Sequence, residues 1–154
     1  MTVLHESGIG FNFDGSVEKF DDLAEIKILS SACFNAVDFV SEHNGELVLL
    51  EIKNYAQVSQ GSSKPERLEK GMKKVFLKFR QTYLYLLLKK NTKPTTLLAL
   101  FIIPTNLLYF APGMAERFKQ YSKFESEVMQ IQPRLFRDIT EFNNIANQWG
   151  IQAQ

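Results

Sequence analysis

Cysteine is nearly absent: Cys33 is alone among 154 residues, which excludes an internal disulfide and a thiolate zinc cage and fits a reducing compartment. There are only two histidines, His5 and His43, and their spacing suits neither a zinc pair nor a catalytic triad. Glycine is too sparse for a nucleotide loop, since Gly8-x-Gly10 lacks the preceding strand and the third glycine. The first residues carry no basic and apolar blocks of a secretory signal, so a cytoplasmic protein is expected. Charge is missing altogether from 94–115, a length that nominally crosses a bilayer. Pro104, Thr105, Asn106, Pro112 and Gly113 interrupt it, however. The stretch therefore reads as a buried strand over 96–103, a turn and a short strand over 107–110, with no membrane partner.

What is present points to one domain spanning 1–154, because 45% hydrophobic residues in a chain of this length suffice for a single core. The formal charge of +1 conceals an asymmetry. Residues 1–53 hold three Lys/Arg against ten Asp/Glu, and residues 64–93 hold ten against two. Such a basic segment attracts polyanions through counterion release, or is simply a solvated helix face. The thirteen Phe and one Trp, at helical spacing, fit a core better than a base-stacking platform.

The longest periodic signal predicts a helix over 65–90, with Leu68, Met72, Val75, Phe76, Phe79, Tyr83 and Leu86 on one stripe. The opposite stripe carries Lys70, Lys74, Lys78, Gln81 and Tyr85. Past Thr82 the helix is apolar nearly all round, which predicts cover on both sides. Residues 20–29 read as a short helix or the start of a strand. Further helices are expected over 113–124 and 139–149, with a strand over 128–134 between them. Asp138 and Glu141 form a capping box for the last helix, and Gly150 stops it. The fold class is α/β, a mixed central sheet flanked by helices.

The stretch AVDFVSEHNGELVLLEIKNY, at 36–55, contains Asn44-Gly45 between two strand-forming runs, the strongest short hairpin signal. With those two residues as the loop, His43 pairs with Glu46 and Asp38 faces Glu51. Like charges directly opposite destabilise a sheet unless something compensates, and a cation does so. Lys53 falls on the same face, and Val37, Phe39, Val48, Leu50 and Ile52 fall on the other. A plain ion network among Asp38, Glu51 and Lys53 accounts for the pattern too. The apolar surroundings speak for central strands, where unpaired charge is costly. Two carboxylates suit Mg²⁺ or Mn²⁺.

At these residues the chain resembles the PD-(D/E)xK nuclease superfamily, in which an acidic residue on one strand, a (D/E)-x-K tripeptide on the next and a following helix make the active core. Asp38 follows Val37 where the family often has proline, and Glu51-Ile52-Lys53 is a full tripeptide. The resemblance covers roughly 34–103 and implies a restriction-endonuclease-like core. It also implies that Asp38 and Glu51, with the Ile52 carbonyl oxygen, hold Mg²⁺ (or Mn²⁺), and that Lys53 positions the attacking water. The implied activity is hydrolysis of DNA to a 5′-phosphate and a 3′-hydroxyl. Glu18 is the first choice for an added metal ligand from the preceding segment, with Glu6 and Glu25 as alternatives. Gln81-x-x-x-Tyr85 is similar to a pattern of recombination exonucleases, although so short a pattern also arises by chance. Lys70, Lys74, Lys78, Gln81 and Tyr85 are the expected nucleic-acid contacts. RNA in place of DNA, and a homodimer or a larger assembly, remain open. The competing expectations are a nuclease-fold module that binds nucleic acid or a partner protein without cutting, and a structural protein whose carboxylates are incidental.

Overall fold

A computed structural model describes residues 1–57 and 65–154, so Lys64, at the edge of the basic segment, lies outside the described residues. Its centre is a five-stranded mixed sheet in the order β3 (Ser16–Lys19), β4 (Phe39–His43), β5 (Glu46–Asn54), β6 (Thr96–Ile102), β7 (Arg134–Phe136). The β3–β4 and β4–β5 pairings are antiparallel, and the β5–β6 and β6–β7 pairings are parallel. A smaller antiparallel sheet joins β1 (Thr2–Glu6), β2 (Ile9–Phe13) and β8 (Ile151–Ala153). The helices are α1 (Ala24–Ser30), α2 (Pro65–Tyr85), α3 (Ala111–Tyr121), α4 (Lys123–Glu127) and α5 (Ile139–Ala146). This is a single-domain α/β protein with mixed sheets flanked by helices.

The central strands are apolar on both sides because both sides are covered. Leu49, Leu97, Ala99 and Phe101 meet Leu68, Met72, Val75, Phe76 and Phe79 of α2 and Met114 and Phe118 of α3. Phe39, Val48, Leu50, Ile52, Leu98 and Leu100 meet Phe11, Phe13, Phe142 and Ile151 on the other side. Val37, expected beside Phe39, instead packs in the core under α2. Its main-chain N–H donates to Thr82 Oγ1 at 3.1 Å, because the chain becomes extended only at Phe39.

Several sequence expectations are corrected. Residues 107–110 belong to a 3₁₀ segment (Thr105–Phe110), not a strand. Leu107 is buried while Leu108 and Tyr109 are exposed, so no sheet face is offered. The strand expected over 128–134 is only the short β7, because Val128 is exposed and no pairing starts before Arg134. Helix α3 begins earlier than expected, since Pro112 is tolerated in its first turn. Residues 20–29 divide into a 3₁₀ turn (Phe20–Asp22) and α1. Cover on both sides of the C-terminal part of α2 fails: Leu84 and Leu88 are exposed. That part ends in a π-helical stretch (Leu86–Lys90) closed by Asn91 at φ 51°.

The last helix keeps its expected N-terminus. Asp138 accepts from the Glu141 N–H at 2.7 Å, but Glu141 reaches back to the N–H of Arg137 rather than to that of Asp138. A 3₁₀ turn (Asn147–Trp149) and Gly150 at φ 66° then lead into β8. No helix among the described residues is long and apolar enough to cross a membrane.

Candidate functional site

The site begins at the β4–β5 hairpin. Asn44 (φ 52°) and Gly45 (φ 79°) both take the left-handed conformation that a two-residue type I′ turn requires. The register follows, from His43↔Glu46 to Phe39↔Leu50. One step further, Asp38 lies beside Glu51, and the two side chains take over from the ladder. The Asp38 N–H donates to Glu51 Oε2 at 3.2 Å, and the Ile52 N–H donates to Asp38 Oδ2 at 2.7 Å. Asp38 is 4% exposed and Glu51 is fully buried, so these two carboxylates would repel strongly without nearby positive charge.

That charge comes from two lysines converging on one oxygen. Lys53 Nζ lies 2.7 Å from Glu51 Oε1, and Lys78 Nζ lies 2.6 Å from the same atom. Lys78 Nζ is also 3.6 Å from Asp38 Oδ1. Burial pushes the Asp38 carboxyl well above its ordinary range, and the Glu51 charge adds to this. Lys78, the Ile52 N–H and Lys53 pull it back only in part. For Lys53, burial works against the charged form, but the adjacent Glu51 carboxylate outweighs it and the amine is raised.

Beside this pair lies a second group of acids. Carboxylate oxygens of Glu6, Asp21 and Asp38 all fall within 4.8 Å of one another. The Phe20 N–H donates to the Asp38 carbonyl oxygen at 2.8 Å, which brings the turn carrying Asp21 against the hairpin. Ser7 Oγ donates to Glu6 Oε1 at 3.1 Å, and Lys19 Nζ pairs with Glu6 Oε2 at 2.9 Å. Asp21 Oδ1 is buried and has no hydrogen-bond partner among the described residues. Burial, then the charges of Glu6 and Asp22, push the Asp21 carboxyl upward. Three converging carboxylates, with Asp21 keeping one unpartnered oxygen, fit Mg²⁺ or Mn²⁺ in type. Glu51 is outside this trio, and its Oε1 is held by the lysines.

The other expected residues separate. Glu18, the first choice as an added ligand, is exposed opposite Val40 and lines a surface hollow with Glu42 and Lys90: it shares the sheet face of the acids but sits on the edge strand, two residues along from Phe20, whose N–H meets the Asp38 carbonyl oxygen. Glu25 is exposed on α1 and pairs with Lys90 at 3.4 Å. Glu6 does reach Asp38. Lys70 and Lys74 are exposed along α2. Lys78 is not on that outward stripe: its side chain is only 13% exposed and is tied to the acids. Gln81 Oε1 accepts from the Asn35 N–H at 2.6 Å, and Tyr85 packs on Phe20 and Phe34. Both therefore brace the segment leading to Asp38.

Sequence reasoning missed Asp21 and the inward position of Lys78. A signal existed for the lysine. Position 78 is three residues after Val75 and four before Thr82, both buried, so it borders the apolar stripe. Compared with protein-family models, with curated proteins and with solved structures, the chain has no match in any of the three.

Proposed function

We propose that the chain is a Mg²⁺- or Mn²⁺-dependent nuclease with a restriction-endonuclease-like core that hydrolyses phosphodiester bonds in DNA. The observation that carries this reading is the convergence of Asp38, Glu51 and Lys53 at one end of the hairpin, with Glu6 and Asp21 adding oxygens around Asp38. Asp38 would hold the ion together with Glu51, the Ile52 carbonyl oxygen and the carboxylates of Glu6 and Asp21. When bound, the ion supplies a Lewis acid for a phosphoryl oxygen and a bound water of lowered pKa. Lys53, fixed at 2.7 Å from Glu51 Oε1, offers its remaining N–H donors to the attacking water and orients it towards phosphorus. Gln81 and Thr82 of α2 hold the backbone before Asp38, so that carboxylate keeps its place. Lys70 and Lys74 attract the phosphate backbone from the exposed face of α2.

The test is cleavage of linear, circular and single-stranded DNA, and of RNA, with Mg²⁺ or Mn²⁺ added. Asp38→Asn, Glu51→Gln and Lys53→Met each lower the rate by about 10² or more, the scale of one lost catalytic group. Unchanged cleavage by all three variants rejects the reading.

A second reading is a nuclease-fold module that binds nucleic acid or a partner protein without cutting. One observation favours it: two lysines already neutralise Glu51 with no ion needed. Metal-independent DNA binding, with no cleavage of any of these substrates, selects it.

A further inference from the structure

Two ammonium groups on one carboxylate oxygen is one more than that oxygen needs. Glu51 Oε1 accepts from Lys53 at 2.7 Å and from Lys78 at 2.6 Å, and the two like charges repel each other across the atom they share. They are not equivalent. Lys53 belongs to β5 itself, two residues beyond Glu51, so its stem is anchored in the same strand. Lys78 reaches across from α2 and contacts both acids, Glu51 closely and Asp38 at 3.6 Å. Its nitrogen therefore lies between two of the carboxylates that would hold the ion. Asp38 Oδ1, too far from Lys78 for a hydrogen bond, is the loosely held side of the arrangement.

We infer that Lys78 is the resident counter-ion of the metal-free site and that a divalent cation enters by displacing it. The inference rests on the nuclease reading of the same acids. A lysine suits the role because its compact charge rides on a flexible four-carbon stem. The Lys78 side chain is 13% exposed, which leaves it a route to solvent. Glu51 stays paired with Lys53 when Lys78 leaves, so displacement strands no buried charge. The same lysine lets the acids be buried in the absence of metal, and it weakens metal binding by competing for the same oxygens. Metal occupancy then also changes the charge presented at the inner edge of α2, because a freed Lys78 ammonium becomes available there to a phosphate.

The direct test is amine labelling of the intact chain with a small acylating reagent, read by mass spectrometry with and without saturating Mn²⁺. Lys78 labels several-fold faster when Mn²⁺ is present, while exposed Lys119 on α3 labels at one rate throughout. An unchanged Lys78 rate with Mn²⁺ bound overturns the inference. Calorimetric Mn²⁺ titration gives the second measurement. Lys78→Met, or Lys78→Gln should the first not fold, binds Mn²⁺ about tenfold more tightly than the unaltered chain, and Lys119→Met does not. Equal or weaker binding by the Lys78 variants overturns the displacement alone, provided Asp38→Asn loses the ion. Absence of Mn²⁺ binding from the unaltered chain and from every Lys78 variant overturns the metal site itself.

Discussion

Asp38 and Glu51 are each held by a main-chain N–H from the other's strand segment: the Asp38 amide donates to Glu51 at 3.2 Å, and the Ile52 amide beside Glu51 donates to Asp38 at 2.7 Å. The two acids thus finish the β4–β5 ladder with side chains and have a structural part whatever their chemistry. Removing Glu51 as Glu51→Ala leaves Lys53, Lys78 and the Asp38 N–H without their acceptor. Breaking a buried charge cluster in this way costs about 3–5 kcal/mol. Glu51→Gln keeps an acceptor in place and costs less. Urea unfolding of both variants measures the difference, and equal stabilities would show the cluster to be energetically idle. Activity comparisons therefore belong with the isosteric variants, where lost cleavage is not lost fold.

The hairpin turn sets the distance between those acids, and Gly45 sets the turn. A Cβ at Gly45 meets no atom of the described residues within 4 Å, so Gly45→Ala carries only the cost of φ 79°. That cost is about 1–2 kcal/mol for an L-residue. Thermal unfolding reports it as a lowered midpoint. A neighbouring surface change that leaves φ alone, Glu46→Gln, is not a neutral control, because Glu46 Oε2 accepts from Trp149 Nε1 at 2.7 Å.

How much of this was legible depended on whether a local rule acted alone. Asn44-Gly45 dictates one register, and that placed Asp38 beside Glu51 from the sequence. The apolar stripe of α2 likewise needed no partner to be recognised, since Leu68, Met72, Val75, Phe76 and Phe79 are all buried. Asp21 was not legible, because its position depends on β3 pairing with β4 and on the amide of Phe20 meeting the carbonyl of Asp38, contacts between segments far apart in the chain. Residues 107–110 misled because apolar content without alternation suits a 3₁₀ turn as readily as a strand. Lys78 borders the buried stripe of α2, which hints at its inward position, but which group it reaches depends on how α2 lies against β5.

Lys70 and Lys74 are exposed on α2, whereas Lys78 is bound to the acids. Lys70→Ala and Lys74→Ala should each weaken DNA binding uniformly across sequences and lower the slope of log affinity against log salt by about 1. Fluorescence anisotropy over a salt series measures both. An unchanged slope in both variants removes this face of α2 from the nucleic-acid interface.

Tyr55 follows β5 and packs its ring on Phe101 at 5.8 Å between centroids, and its hydroxyl lies close against Gly71 of α2. Burial pushes its phenol from 10.0 up to about 12. The folded chain therefore keeps this proton where the unfolded chain has lost it. Its contribution is fully present below pH about 10, the unfolded value, and disappears as pH climbs to about 12; a shift of that size corresponds to about 2–3 kcal/mol. Lys19, pushed up to about 12 chiefly by its hydrogen bond to Glu6, is lost in the same direction over much the same range. The comparison that isolates Tyr55 is with Tyr55→Phe, which retains Lys19. Between pH 10 and 12 the unaltered chain should lose stability more steeply than Tyr55→Phe in urea titrations. Parallel curves would mean that the phenol ionises as easily in the folded chain as in the unfolded one.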